Sequence, residues 1–152
     1  MHTFTQSQKN SIMADEKTII NSSKAPEPVG LYPHARKVGN LLFLSGVGPR
    51  EKGNKNIPGV ELDEKGNIAS YDIEKQCHSV FANVRYILED AGSSWDNIVD
   101  VTVFLTNMKD DFATYNRIYA DYFKDNQPCR TTVEINCLPT PIAIELKVIA
   151  TI

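Results

Sequence analysis

Three histidines and three cysteines are all that this 152-residue chain has of the softer metal ligands, and they are scattered. His2, His34 and His78 share no ligand spacing with one another or with Cys77, Cys129 and Cys137, so neither a metal centre nor a cofactor is expected. An odd number of cysteines without paired spacing gives no disulfide framework. Cys129 and Cys137 fall on the apolar parity of a strand and its extension, and Cys77 falls on an apolar helical stripe. All three are expected to be buried, reduced and structural, which fits a cytoplasmic protein. No apolar run approaches the roughly 18 residues that a membrane helix needs, so no membrane partner is expected. The opening "MHTFTQSQKNSIMADEKTII" lacks the continuous apolar stretch, roughly 7 to 15 residues, of a signal peptide. A basic excess is missing too: 16 Lys and Arg against 19 Asp and Glu leave a formal charge of -3. Without a Lys/Arg stripe interleaved with aromatics, nucleic acid is not an expected partner. "LLFLSGVGP" lacks the G-x-S-x-G spacing of a serine-hydrolase elbow, and no helix follows "GVG" at Gly46 to Gly48 to make a dinucleotide fingerprint. Gly46 more simply lets a ligand or a neighbouring backbone come close.

What the chain does have is enough for one domain, expected over 17–152, after a polar N-terminal tail at 1–16 in which Met13 is a second possible start. "KTIIN" reads as a short strand and "KAPEPVGLYPH" as a proline-rich connection. "ARKVGNLLFLSG" is a hairpin around Gly39-Asn40, and the polar stretch Pro49 to Ser70 is a long loop with a small hairpin at "DEKGN". A helix follows, capped by Asp72, carrying Ile73, Cys77, Val80, Phe81, Val84, Ile87 and Leu88 on one stripe and stopped by Gly92. "NIVDVTVFLTN" is a strand. A second helix is expected to begin near Asp110 or Asp111, with Phe112, Tyr115, Tyr119, Tyr122 and Phe123 as its core stripe and Asn116 beside it. Two strands, "PCRTTVEI" and "PIAIELKVIATI", close the chain.

Those last strands carry charge on one parity. Side chains alternate along a strand, so Arg130, Thr132 and Glu134 share one face, as do Glu145 and Lys147. Two amphipathic helices cover only one face of a mixed sheet. All five residues are therefore expected on the uncovered face, together with Ala143 and Ile149, where partner subunits would bury them. An arginine presents a planar fork to a carboxylate, and a glutamate among apolar neighbours passes protons near neutrality. Such a pair suits hydrolysis of a small carboxylate-bearing molecule. An ordinary Arg-Glu ion pair at a subunit interface accounts for the same residues.

Several segments resemble the Rid family, the YjgF-type reactive intermediate deaminases: "GLYPHARKVGNLLFLSG", "VTVFLTNMKDDFATYNRIYADYF", "CRTTVEI" and "LPTPIAIELKVIA". "IPGVELD", "YDIEKQCHSVFANVR" and "PTPIAIELK" are similar to its 2-aminomuconate deaminase branch. The resemblance implies an α/β (α+β) fold of the chorismate-mutase-like type, a mixed sheet with two helices on one face, trimeric around a central β-barrel with sites in the subunit clefts. It implies that Arg130 binds the substrate carboxylate and Glu145 positions the hydrolytic water, with Tyr32, Ser45, Gly46, Asn116, Thr132 and Lys147 lining the site. The activity implied is hydrolysis of 2-aminomuconate to the 2-oxo dicarboxylate and ammonia, without a cofactor. A general 2-aminoacrylate or 2-imino acid deaminase and a non-catalytic, chaperone-like trimer are the alternatives. Lys147, His34, Arg36 and Arg50 are candidates for a second substrate carboxylate. Many family members have Cys two residues after the arginine where this chain has Thr132, which removes any thiol role there but leaves deamination intact.

Overall fold

The computed structural model describes Thr3, Thr5 and residues 18–152. The expected tail at 1–16, with His2 and Met13, lies outside the described residues apart from those two threonines. Strands β1 (Ile19–Ile20), β2 (Ala35–Val38) and β3 (Leu41–Leu44) open the fold, and β4 (Val60–Leu62) and β5 (Ile68–Tyr71) follow. Then come α1 (Ile73–Asp90), β6 (Ile98–Leu105), α2 (Met108–Tyr122), β7 (Cys129–Glu134) and β8 (Ile144–Thr151). The main sheet has the order β1-β2-β3-β8-β6-β7, and β4 and β5 form a separate two-stranded sheet. Every pairing in the main sheet is antiparallel except β6 with β7, which α2 joins as a parallel crossover.

Local chemistry explains these elements. Gly39, at φ 60°, makes the tight turn between β2 and β3. The expected hairpin at "DEKGN" is the turn of β4 and β5, where the Asp63 carboxylate accepts from Lys65 and Asn67 N–H. Asp72 caps α1 by accepting from Lys75 N–H. At its other end Ser93 N–H donates to Leu88 O and Gly92 N–H to Glu89 O, with Gly92 at φ 79°, so the stop is a Schellman turn. The second helix begins earlier than the aspartates suggest, at Met108, because Asn107 caps it by accepting from Asp110 N–H.

The core lies between the helices and one face of the sheet. Leu42 and Leu44 of β3, Val101, Val103 and Leu105 of β6, and Ile144, Leu146 and Val148 of β8 pack under Cys77, Val80, Phe81, Val84 and Leu88 of α1 and Tyr115 and Ile118 of α2. Phe81 is the aromatic hub, 4.5 Å from the Tyr122 ring, 5.9 Å from Trp95 and 6.1 Å from Phe123. Phe112, expected in this stripe, is exposed instead, and Ile118 takes the inward position. Cys77 is buried as expected, and its thiol is pushed up to about 12 by desolvation. Cys129 is exposed because the edge strand turns that parity away from the helices, and Cys137, also exposed, lies beyond the end of β7.

Candidate active site

β8 places Glu145 and Lys147 on the face that the helices leave open. In register, Glu145 stands beside Phe104, Lys147 beside Thr102 and Ile149 beside Phe43. The segment after β3 continues alongside β8: Val47 and Leu146 exchange both backbone hydrogen bonds, at 2.8 and 2.9 Å. This brings Gly46 against the Glu145 carboxylate, so closely that a Cβ there would lie 2.8 Å from Oε2 and 2.9 Å from Cδ. The close approach expected at Gly46 is therefore to a carboxylate side chain. Among the described residues Glu145 has no hydrogen-bond or ion-pair partner, and desolvation raises its pKa above the ordinary glutamate value. Lys147 donates to the Leu44 carbonyl, and burial pulls its pKa down.

Tyr32 and Ser45 sit on the same side of the chain as Gly46. All three line a small cavity of about 40 Å³ with His34 and Arg50. The Ser45 hydroxyl donates to Pro33 O at 2.7 Å, and the half-exposed Tyr32 hydroxyl accepts from Val29 N–H at 3.3 Å. These two bonds fix the proline-rich loop over the site. His34 is not a ligand-binding group: its Nδ1 accepts from Ser22 N–H and its Nε2 donates to Pro26 O, both at 2.8 Å, so neither nitrogen is free. Arg50 reaches across the loop to Glu27 O at 2.9 Å. Arg36 pairs in register with Phe43 and is exposed.

Arg130 stands elsewhere. The β6 register places Arg130 beside Val101, Thr132 beside Val103 and Glu134 beside Leu105, and those three partners are buried under the helices. Arg130, Thr132 and Glu134 therefore occupy the helix side of the sheet, not the open face with Glu145 and Lys147. The expectation that all five share one face is corrected. In β7 the exposed Cys129, Thr131 and Val133 have the open-face parity, because this edge strand keeps its less polar side for the face the helices do not cover. Ala143 is fully buried as well, and of the two apolar residues assigned to the open face only Ile149 is there.

On its own side Arg130 is held tightly. Its Nη1 donates to Asn116 Oδ1 at 2.8 Å, and the guanidinium lies 4.7 Å from the Tyr119 ring centroid and 5.5 Å from that of Tyr115. Asn116 thus joins Arg130. The aromatic platform was legible only as a core stripe, although the (i, i+4) pair Tyr115 and Tyr119 flanking Asn116 was its signal. The Tyr115 hydroxyl bonds Thr132 Oγ1 at 3.1 Å. Burial pushes the Tyr119 hydroxyl up to about 12. Glu134 has a structural task, accepting from Met108 N–H at 2.9 Å and so satisfying an orphan donor of α2. Among the described residues there is no group of three or more His, Cys, Asp or Glu placed to hold a metal ion.

The chain thus carries a restrained guanidinium on one face of its sheet and, on the opposite face, a carboxylate with no partner among the described residues. The family model described as Endoribonuclease L-PSP matches residues 22–152. A RutC family protein of Pyrococcus abyssi is 39% identical, with 88% of this chain and 96% of that protein aligned. Reactive Intermediate Deaminase A of Arabidopsis thaliana, a chloroplastic protein, is 35% identical over 90% of this chain and 67% of its own length. The crystal structure of E. coli TdcF with bound serine superposes with a TM-score of 0.76 at 30% identity, covering 88% of this chain and 98% of that one. The fold is the chorismate-mutase-like mixed sheet of the YjgF type. The chain belongs to the Rid family.

Proposed function

We propose that the chain is a cofactor-independent deaminase of enamine and imine derivatives of small amino acids, with 2-aminomuconate as its substrate. It works as a homotrimer in the cytoplasm, with sites in the clefts between subunits. The observation that carries the chemistry is Glu145: a desolvated carboxylate with no partner among the described residues, its pKa raised, set against a glycine where a Cβ would crowd it. Such a group is a proton acceptor waiting for water. Arg130, with donors left over after Asn116, supplies the carboxylate fork. Because the two lie on opposite faces of one sheet, a shared site takes Arg130 from one subunit and Glu145 from another. The open face supports that assembly, since Ile19 and Val38 stand 44% and 59% exposed on it in the single chain.

The enamine tautomerises to the imine, and water adds to the imine carbon while Glu145 takes one of its protons. Glu145 returns that proton to the nitrogen, the adduct's hydroxyl gives up the second proton of the water to the nitrogen as well, and the carbon-nitrogen bond breaks, so that ammonia leaves as the 2-oxo group forms. Arg130 holds the carboxylate beside the reacting carbon throughout. The second carboxylate of 2-aminomuconate is read by Lys147, whose ammonium shares the open face with Glu145 and whose burial disfavours its charge until an anion arrives. The names of relatives agree with this reading: the Arabidopsis protein is called a deaminase, and TdcF was crystallised with an amino acid. The test is ammonia release from freshly generated 2-aminomuconate and 2-aminoacrylate, measured side by side. Faster turnover of 2-aminomuconate supports the full reading. Faster turnover of 2-aminoacrylate reduces it to the general deaminase, and binding of either product without ammonia release replaces it with a ligand-binding trimer.

A further inference from the structure

We infer that Thr132 donates a hydrogen bond to the same ligand carboxylate that Arg130 takes up, and that Tyr115, buried beneath the strand, is the positioning residue that sets the direction of that bond. The inference rests on the proposed reading of Arg130 as the carboxylate fork. Arg130 and Thr132 are two residues apart on one face of β7, roughly 6 to 7 Å along the strand, close enough for both to reach one planar anion. Thr132 is half-buried, so part of the residue is exposed on the face of β7 that carries Arg130. Tyr115 is fully buried and touches no solvent.

The direction follows from the donor inventory. Arginine has donors and no acceptor, and the guanidinium, 5.5 Å from the Tyr115 ring centroid, also acts on the phenol oxygen through its charge and a side-chain hydrogen bond. A hydroxyl beside a cation turns its oxygen toward the charge and its proton away. The Tyr115 proton then points at Thr132 Oγ1, 3.1 Å distant. Thr132 accepts that proton and is left with its own O–H to donate, on the face of β7 that also carries Arg130. Were Tyr115 absent, the Thr132 hydroxyl would rotate freely and spend part of its time donating elsewhere. Burial raises the Tyr115 pKa, against smaller opposing effects of Thr132 and Arg130, so the phenol keeps its proton and remains a donor at working pH. If the Tyr115 to Thr132 bond serves only to satisfy a buried phenol, it has no bearing on ligand affinity, and that difference is measurable.

The probe is 2-oxobutanoate, a 2-oxo acid that cannot release ammonia, titrated calorimetrically into the full chain and its variants. Thr132→Val is expected to weaken binding about 10-fold or more, the ordinary worth of a hydrogen bond to a charged group. Thr132→Ser keeps the hydroxyl and recovers most of the affinity. Tyr115→Phe is expected to weaken binding about 3- to 10-fold by releasing the Thr132 rotor. Thr132→Val leaves the buried phenol without a partner, so the double variant Tyr115→Phe/Thr132→Val, which removes both polar groups together, keeps the test valid if the single variant folds poorly. Adding Tyr115→Phe to Thr132→Val should cost much less affinity than Tyr115→Phe costs alone, because Tyr115 directs the ligand's hydrogen bond through Thr132. Wild-type affinity in Tyr115→Phe or in the double variant overturns the inference. Arg130→Lys in the same titration separates the two levels. Lost affinity there, with Thr132→Val binding normally, sinks this inference alone; unchanged affinity in Arg130→Lys sinks the carboxylate reading and this inference with it.

Discussion

Replacing Gly46 with alanine adds one carbon at the place where the account is most exposed to test. The new Cβ would stand 2.8 Å from Glu145 Oε2 and 2.9 Å from Cδ, against 3.4 Å for ordinary contact, so the carboxylate must move by about half an ångström. Gly46 does not have a positive φ, so alanine brings no backbone strain there. The atoms in the way are the far end of a flexible side chain, and they swing aside at little cost. Alanine also narrows the unfolded ensemble, a gain of about 0.4 to 1 kcal/mol that offsets the contact. Stability should therefore change by less than about 1 kcal/mol, whereas a displaced proton acceptor costs about 10- to 100-fold in turnover, since a 1 Å misplacement is worth up to about that much. Thermal unfolding and ammonia release measured on the same preparation separate the two effects. Turnover within twofold of wild type at unchanged stability would show that the position of the Glu145 carboxylate does not matter, and the proposed chemistry would fail with it.

Other outcomes are equally specific. Arg130→Lys keeps the charge but loses the fork, the Asn116 bond and the stack on Tyr119, and should lower kcat/KM by about 10- to 100-fold; a loss under threefold would make Arg130 structural. Because burial raises the Glu145 pKa above the ordinary glutamate value of 4.5, the folded chain holds that proton more tightly than the unfolded chain, so this group's contribution to stability falls as pH rises through that window. The acid limb of kcat should accordingly lie above the ordinary carboxylate range, and Glu145→Gln should be at least as stable as wild type at pH 7, by urea unfolding, with the difference gone at pH 4. Phe81→Ala should cost about 3 to 5 kcal/mol in urea unfolding, and a cost below about 1 kcal/mol would contradict the core described between α1 and α2.

Elements with strong local signals were legible in the sequence, and the orientation of an edge strand was not. The Asp72 cap, the apolar stripe and Gly92 define α1 without tertiary context, and the strict alternation of β8 separates Leu146 and Val148 from Glu145 and Lys147. Alternation divides a strand into two faces but does not say which faces the helices. In β7 neither parity is strongly apolar, since Cys129, Thr131 and Val133 oppose Arg130, Thr132 and Glu134. Only the pairing with β6 decides between them. The same reversal exposed Cys129 and separated Arg130 from Glu145. His34 looked available for a ligand because sequence does not reveal that Ser22 and Pro26 fold back to occupy both ring nitrogens. The start of α2 slipped because Asn107 and the two aspartates after it are all good caps, and the chain uses the first.

Subunit mixing tests most directly whether one site draws Arg130 and Glu145 from different chains. Arg130→Lys and Glu145→Gln are each expected to be nearly inactive as uniform assemblies. Unfolded together in equal amounts and refolded, they assemble at random, and about one quarter of all interfaces, one in each mixed trimer, then join an intact Arg130 to an intact Glu145. Ammonia release should return to about a quarter of the wild-type rate per chain, allowing for the efficiency of refolding measured on wild type treated the same way. A mixture no more active than its parents, while light scattering shows mixed trimers at three times the chain mass, would contradict a site shared between subunits.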